Sequence, residues 1–414
     1  MINIGLISPR FLKQGMRGGE ETIKIFFDRA PKEFNVTMIT SNTVDIRAQH
    51  WLIGKTLRPN ISVISDTKKI VYLRTEPVIS TVSNAFHFPT SYVLRRLNMR
   101  PYSHVLLDKA RIYGWGPYTP AIDRVIKNGK FAVLHGSTFP TTISYLGFLA
   151  ARKYGVPFVY SPYYHFRIDK YSESSMLRVM LNSSSLVIAN TESELRKLVE
   201  IGAKPEKITV VPPPFYKDKS KEYFISKDDA KLSFDLSGYY VVLAHPWIGK
   251  GIEMVMRALS NVSSNSKRVA LLTLGDTGYL YRSLKRKFSS KFVIVDTGWA
   301  SEAKKWKAFY ACDIFAMPSL NDSFGLSFLN AWATKRPIIG VRNTSAEDII
   351  TNGKDGFLID YGNVRELSEV INYSIENGQS VEKMGEVGYG NLAKMYDPIK
   401  VSNQFFNALI SSIT

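Results

Sequence analysis

Residues 2–30 read INIGLISPRFLKQGMRGGEETIKIFFDRA, and this stretch decides the fold. Residues 2–7 are a short apolar run stopped by Ser8-Pro9-Arg10, which reads as a buried strand. Gly15, Gly18 and Gly19 open a loop. Residues 20–30 then begin on two acids and place Ile23, Ile25, Phe26 and Phe27 as an amphipathic helix would. Strand, glycine loop and helix in that order open a doubly wound parallel sheet.

Working outward, further apolar runs lie at 36–39, 131–134, 158–160, 186–189 and 208–211, most of them separated by helical patterns. Such alternation predicts a parallel sheet covered on both faces. Residues 211–231 change character, with Pro212-Pro213-Pro214 followed by a polar, charge-rich run, and read as a linker region. A second series of strands and glycines starts at 239–244, with Gly249-Lys250-Gly251 after it. It continues at 269–274 (ending in Gly275), 292–295, 314–317, 338–341 and 357–359. The chain reads as two similarly built α/β halves.

The composition fits that size. The 414 residues are 45% hydrophobic and 22% charged, an ordinary globular balance with enough apolar mass for two cores. Lys+Arg number 54 against 36 Asp+Glu, a net +18 that favours anionic partners such as sugar nucleotides, acidic lipids or nucleic acid. The single cysteine, Cys312, excludes an intramolecular disulfide and any cysteine-based zinc cluster. No secretion signal is visible, and no apolar run approaches the roughly 18 residues that would span a bilayer. A cytoplasmic protein is expected.

The stretch richest in chemistry is 318–340, PSLNDSFGLSFLNAWATKRPIIG. A strand over 314–317 enters a polar loop, and a helix is expected to start near Ser323, with Phe324, Phe328 and Trp332 one turn apart. The amides around Gly325, Leu326 and Ser327 would point unpaired beyond the strand ends, where donors and helix dipole together favour a phosphate. Asp322 stands just before that terminus and Asn330 about two turns inside.

This stretch resembles the E-x7-E region of glycosyltransferase family 4. The spacing is kept while Asp322 and Asn330 replace the two glutamates. The resemblance implies that Asp322 lies at the transferred sugar and Asn330 at the donor ribose, with Phe324, Gly325 and Leu326 lining the donor site. Residues 241–251, VVLAHPWIGKG, are similar to the family's diphosphate-binding loop: Lys250 matches, and His245 stands where the family has Arg. His245 would be cationic only if phosphates raised its pKa. His135, in Leu134-His135-Gly136-Ser137, looks like the active-site histidine that the family carries at the end of this strand. His165 resembles a displaced counterpart of another family histidine and is a candidate for acceptor contact. Gly18 and Gly19 match the first glycine loop, and Trp299 lies in the loop whose main chain reads the base. Glu347 and Asp348 correspond to a family turn, with Ala346 replacing Pro.

Residues 91–130 carry Arg95, Arg96, Arg100, Lys109, Arg111, Arg124, Lys127 and Lys130, interleaved with Tyr92, Tyr102, Tyr113, Trp115 and Tyr118. Cations beside aromatics suit an anionic membrane surface as well as they suit a solvated face over a core.

The resemblance implies a GT-B architecture, α/β, with two doubly wound Rossmann-like domains facing across a cleft. The expected boundaries are 1–214 for an acceptor-binding domain, joined by a helix over about 397–414 that crosses back, and 215–396 for the nucleotide-sugar-binding domain. The implied activity is transfer of a glycosyl unit from a nucleotide-diphosphate sugar to a glycan or lipid-linked acceptor, with retention, without cofactor or metal. His135 and Asp322 would act on the sugar. The alternatives are a catalytically impaired homologue serving as a binding or partner subunit, and a basic nucleic-acid-binding protein, for which no recognised motif speaks.

Overall fold

A computed structural model describes residues 1–12, 18–45, 48, 54–97, 99, 105–165, 174–262 and 268–413. Gly15, Arg100 and Tyr102 lie outside these residues. The chain divides into two compact units, Met1–Pro214 with Pro398–Thr414, and Phe215–Asp397.

In the first unit the strands are β1 (Ile2–Ser8), β2 (Phe34–Ser41), β3 (Asn60–Ser65), β4 (Lys68–Leu73), β5 (Val133–Ser137), β6 (Phe158–Ser161), β7 (Leu186–Ala189) and β8 (Ile208–Val210), in the sheet order β3-β4-β2-β1-β5-β6-β7-β8. All neighbours are parallel except the β3–β4 pair. Pleating sends Ile4 and Leu6 to one face and Ile7 to the other. The first face is covered by the helices Gly18–Asp28 and Pro398–Ser411, where Phe405 stacks on Phe26 at 3.9 Å between ring centroids. The second is covered by Thr142–Tyr154 and its neighbours.

The second unit repeats the plan with β9 (Tyr239–Ala244), β10 (Arg268–Thr273), β11 (Val293–Asp296), β12 (Ile314–Ala316), β13 (Ile338–Val341) and β14 (Phe357–Ile359), ordered β11-β10-β9-β12-β13-β14. Trp332 fills its core without any solvent contact and donates Nε1–H to the Asp355 carbonyl at 3.0 Å. The expected linker is instead part of this unit. Phe215 and Ala230 enter its core, and the Ser220 hydroxyl donates to the Ala333 carbonyl at 2.8 Å. Its charges are absorbed as well. Burial alone would raise the Asp313 carboxyl, but Lys227 at 2.6 Å and Lys231 at 2.7 Å hold it below the ordinary range.

The basic segment needs two corrections. Arg111 is not a surface cation: it is buried and paired with the buried Asp108. Tyr113 and Tyr118 sit edge to face and only partly exposed. Arg96 is exposed beside Tyr92, and Lys109, Arg124, Lys127 and Lys130 are exposed as well. The apolar exposure nearby was not foreseen. The helix Pro77–Arg96 turns Ser80, Asn84, His87 and Ser91 inward and Val78, Val82, Phe86 and Phe88 outward. Among the described residues no helix is long and apolar enough to cross a membrane.

Candidate active site

In the second sheet β9 and β12 are neighbours, while the chain runs from β9 to β10 on one side and from β12 to β13 on the other. Loops leaving these two strands part in opposite directions, which leaves a crevice beyond their carboxyl ends. Lys250 comes from the first loop, Asp322 from the second, and their side chains form an ion pair. Residues 72 positions apart in sequence are thus brought together at the switch point.

Glycines make the approach feasible. Gly251 has φ of 79°, and a Cβ there would stand 2.3 Å from the Pro318 carbonyl oxygen, so the two loops touch backbone to backbone. Gly325, at φ of 99°, caps the helix Leu326–Ala333 in the left-handed region, where a Cβ would meet the Phe328 ring at 2.9 Å. The expected helix start near Ser323 therefore moves three residues on, because only the glycine can make the turn. Ser345 holds the loop from behind, its hydroxyl directed to the Asp322 carbonyl at 2.9 Å and the Phe324 carbonyl at 3.2 Å. Phe324 is buried edge-on against Tyr396, and Leu326 is partly buried. Asn330 is half-buried, and its side chain has no hydrogen-bond partner among the described residues.

His245 is not poised as a cation. Its Nδ1 lies 2.8 Å from the Leu274 carbonyl, which can only accept, so Nδ1 carries the proton; Nε2, 2.8 Å from Ser327 Oγ, accepts from that hydroxyl. Burial, reinforced by the Lys250 cation, pushes its pKa below the ordinary histidine value, against the pull of the Leu274 carbonyl and Asp322. A neutral ring therefore ties the loop after β9 to the loop after β10 and the first turn of Leu326–Ala333. Ser327 and Ser345 as hydroxyl partners were not foreseen, because a serine in a loop or first turn carries no signal until its distant partner is placed beside it. Trp299, in the loop after β11, is 81% exposed, and Gly298 beside it bridges to Gly275. Glu347 accepts from the Asn343 amide and closes its own turn.

In the first unit the matching switch point lies between β1 and β5. Gly18 and Gly19 open the helix Gly18–Asp28 there, and a Cβ on Gly19 would stand 2.8 Å from the Tyr163 ring. The buried Glu20 receives both Nε–H and an Nη of Arg10, fixing the start of that helix. Glu194, also fully buried, accepts from the amides of Tyr164 and Asn190 after β6 and β7, and burial pushes its carboxyl up to about 7. His165 follows Tyr164 on this loop and is partly exposed.

His135 requires a correction. It lies in the middle of β5 rather than at its end and has no exposure at all. Strand alternation sends its ring to the same face as Val133, where Nε2 meets Ser161 Oγ at 2.8 Å and the ring stands edge-on to Phe405. Desolvation lowers its pKa to about 3. A ring closed in this way presents no atom to a bound sugar. It belongs to the core that the helix Pro398–Ser411 completes.

The sequence model of the family "Glycosyl transferases group 1" matches residues 238–390, and that of "Glycosyltransferase Family 4" matches residues 82–218. The chain is 25% identical over 251 residues to a probable sucrose-phosphate synthase of Thermosipho melanesiensis, spanning about half of each protein, 56%. It is 24% identical over 300 residues to the UDP-Gal:alpha-D-GlcNAc-diphosphoundecaprenol alpha-1,3-galactosyltransferase of Escherichia coli, covering 67% of this chain and 76% of that one. Among solved structures, Anabaena Alr3699/HepE in complex with UDP and glucose matches with a TM-score of 0.70 at 16% identity, over 99% of this chain and 100% of that one. Sucrose-phosphate synthase from Thermosynechococcus elongatus matches at 0.73 and 14% identity over 100% of both. These last two are likenesses of fold.

Proposed function

Because the chain belongs to glycosyltransferase family 4, with its GT-B fold, we propose that it moves a sugar from a nucleoside-diphosphate sugar to a glycan acceptor with retention at the anomeric carbon. The observation that carries the reading is the meeting of Lys250 and Asp322 at the switch point, beside the glycine-opened start of Leu326–Ala333. As the bond from the anomeric carbon to the diphosphate breaks, negative charge grows on the leaving oxygen. The Lys250 ammonium and the first amides of that helix stabilise this charge more strongly than they do the intact donor. These groups supply the positive potential without a divalent metal. Asp322, released from Lys250 as the diphosphate takes its place, faces the sugar. Asn330 bonds the ribose hydroxyls, the loop at Trp299 takes the base, and neutral His245 fixes the helix start through Ser327. In the first unit, Gly18, Gly19 and His165 belong to the acceptor side.

The acceptor in this reading is a lipid-linked glycan, as the name of the Escherichia coli relative states for that protein. The first unit accordingly attaches to an anionic membrane surface through its exposed cations.

Incubation with a set of nucleotide sugars should release free nucleoside diphosphate slowly, with chelator present as without it. Asp322→Ala should lower transfer steeply while leaving nucleoside-diphosphate binding nearly unchanged. Binding without any release, for every donor and acceptor tried, would leave the impaired partner subunit as the reading. Asn330→Glu restores the family residue and should be tolerated; loss of folding or of donor binding would show that no ribose sits there.

A further inference from the structure

The helix Pro77–Arg96 is built inside out. Its polar residues Ser80, Asn84, His87 and Ser91, spaced four, three and four apart, form the buried face against the helix Val105–Gly114, and Asn84 Nδ2 donates to the Gly114 carbonyl at 2.9 Å. The face turned to solvent carries Val78, Val82, Phe86, Phe88 and Val93, with Val82 62% and Phe88 54% exposed. Leu97, Val105 and Leu106 extend the exposure past the helix end. A helix in water keeps its apolar stripe inside, and contiguous exposed apolar patches mark interaction sites.

Resting on the membrane attachment just proposed, we infer that this helix lies in the plane of an anionic bilayer with its outward apolar face sunk into the boundary between headgroups and acyl chains. Charge selects a lipid surface over a protein partner. From residue 77 to residue 107 the sequence contains no Asp or Glu, while Arg95, Arg96 and Arg100 fall within it. Arg96 leaves the helix end exposed with its guanidinium on the Tyr92 hydroxyl at 3.0 Å, an amphipathic pair suited to the headgroup layer. At 20 residues the helix has the length to cross a bilayer, but its inner face is too polar for it to span one, so it lies flat.

The test is flotation of the full chain with vesicles of phosphatidylcholine alone and of phosphatidylcholine with phosphatidylglycerol, at about 0.1 M and about 1 M salt, where the screening length falls from roughly 10 to 3 Å. The wild type should float with the anionic vesicles and remain bound at high salt. The triple variant Val82→Ser/Phe86→Ser/Phe88→Ser should lose about tenfold or more of its partitioning while its thermal midpoint and donor hydrolysis stay as they were. Arg95→Ser/Arg96→Ser/Arg100→Ser should instead weaken only the low-salt attachment. If anionic binding is wholly released by salt and the triple serine variant floats like the wild type, insertion is overturned while attachment by charge stands. If the wild type floats with neither vesicle, both fall. A concentration-dependent dimer abolished by the same triple variant would assign the face to a second copy of the chain and overturn the inference.

Discussion

The helices Leu326–Ala333 and Pro77–Arg96 are both rich in apolar side chains, yet one is enclosed on nearly every side and the other shows its apolar face to solvent. The difference comes from what each packs against. Leu326–Ala333 follows β12, and Phe328, Leu329 and Trp332 sink into the core that the sheet leaves. Pro77–Arg96 meets its neighbour through Asn84 and small residues such as Ser80 and Ser91, and no described element covers the rest. Apolar content therefore says that a helix face must be covered, and only the position of its polar residues says by what.

The comparison breaks first at the core. Trp332→Ala should destabilise the second unit by about 3–5 kcal/mol in chemical denaturation, since the cavity is closed on all sides. Val82→Ser on the outward face should stay within about 0.5 kcal/mol by the same measurement. If Val82→Ser cost as much as a core truncation, that face would be covered in the folded chain and the contrast would fail.

At the start of Leu326–Ala333, calorimetry with nucleoside diphosphate sharpens the functional half of the contrast. Lys250→Ala should weaken binding by about 1.5–3 kcal/mol, the usual range for a charge-assisted bond. No change would remove Lys250 from the diphosphate site.

A pH-dependent effect separates buried polar residues from exposed ones. His135 has a folded pKa of about 3 against an ordinary 6.5, so the unfolded chain takes up a proton first as pH falls. Its contribution is present above 6.5 and lost towards 3, at about 1.4 kcal/mol per pH unit. Glu194, at about 7 against 4.5, runs the other way: its contribution is present below 4.5 and lost as pH rises to 7. His135→Asn should flatten the acid-side slope of stability between pH 6.5 and 5. An unchanged slope would mean that the ring is not enclosed as described.

The two α/β halves were legible because buried parallel strands write themselves as unbroken apolar runs, and the glycine loops because Gly251 stands against the Pro318 backbone and Gly325 takes a left-handed φ beside the Phe328 ring, where nothing larger fits. Three further features could not be read. The hairpin of β3 and β4 carries Ile61, Val63 and Ile64 exposed, so its pattern does not look like a strand of a buried sheet. His135 lies two residues from the end of β5, and that small distance separates a ring at a site from a ring in a core. The sequence assigns Lys250 and Asp322 separate roles; their contact depends on the crossover between β9 and β12, which no local pattern records.

The helix Pro398–Ser411 is made after every residue of the second unit, yet Phe405 and Phe406 complete the core of the first. A ribosome adding about 5–20 residues per second takes on the order of ten seconds or more to cross residues 215–397. Throughout that interval the nascent first half waits with a hydrophobic slot open beside Phe26 and His135. A chain stalled before residue 398 should be cut there by protease and held by chaperones, and it should become resistant once the helix emerges.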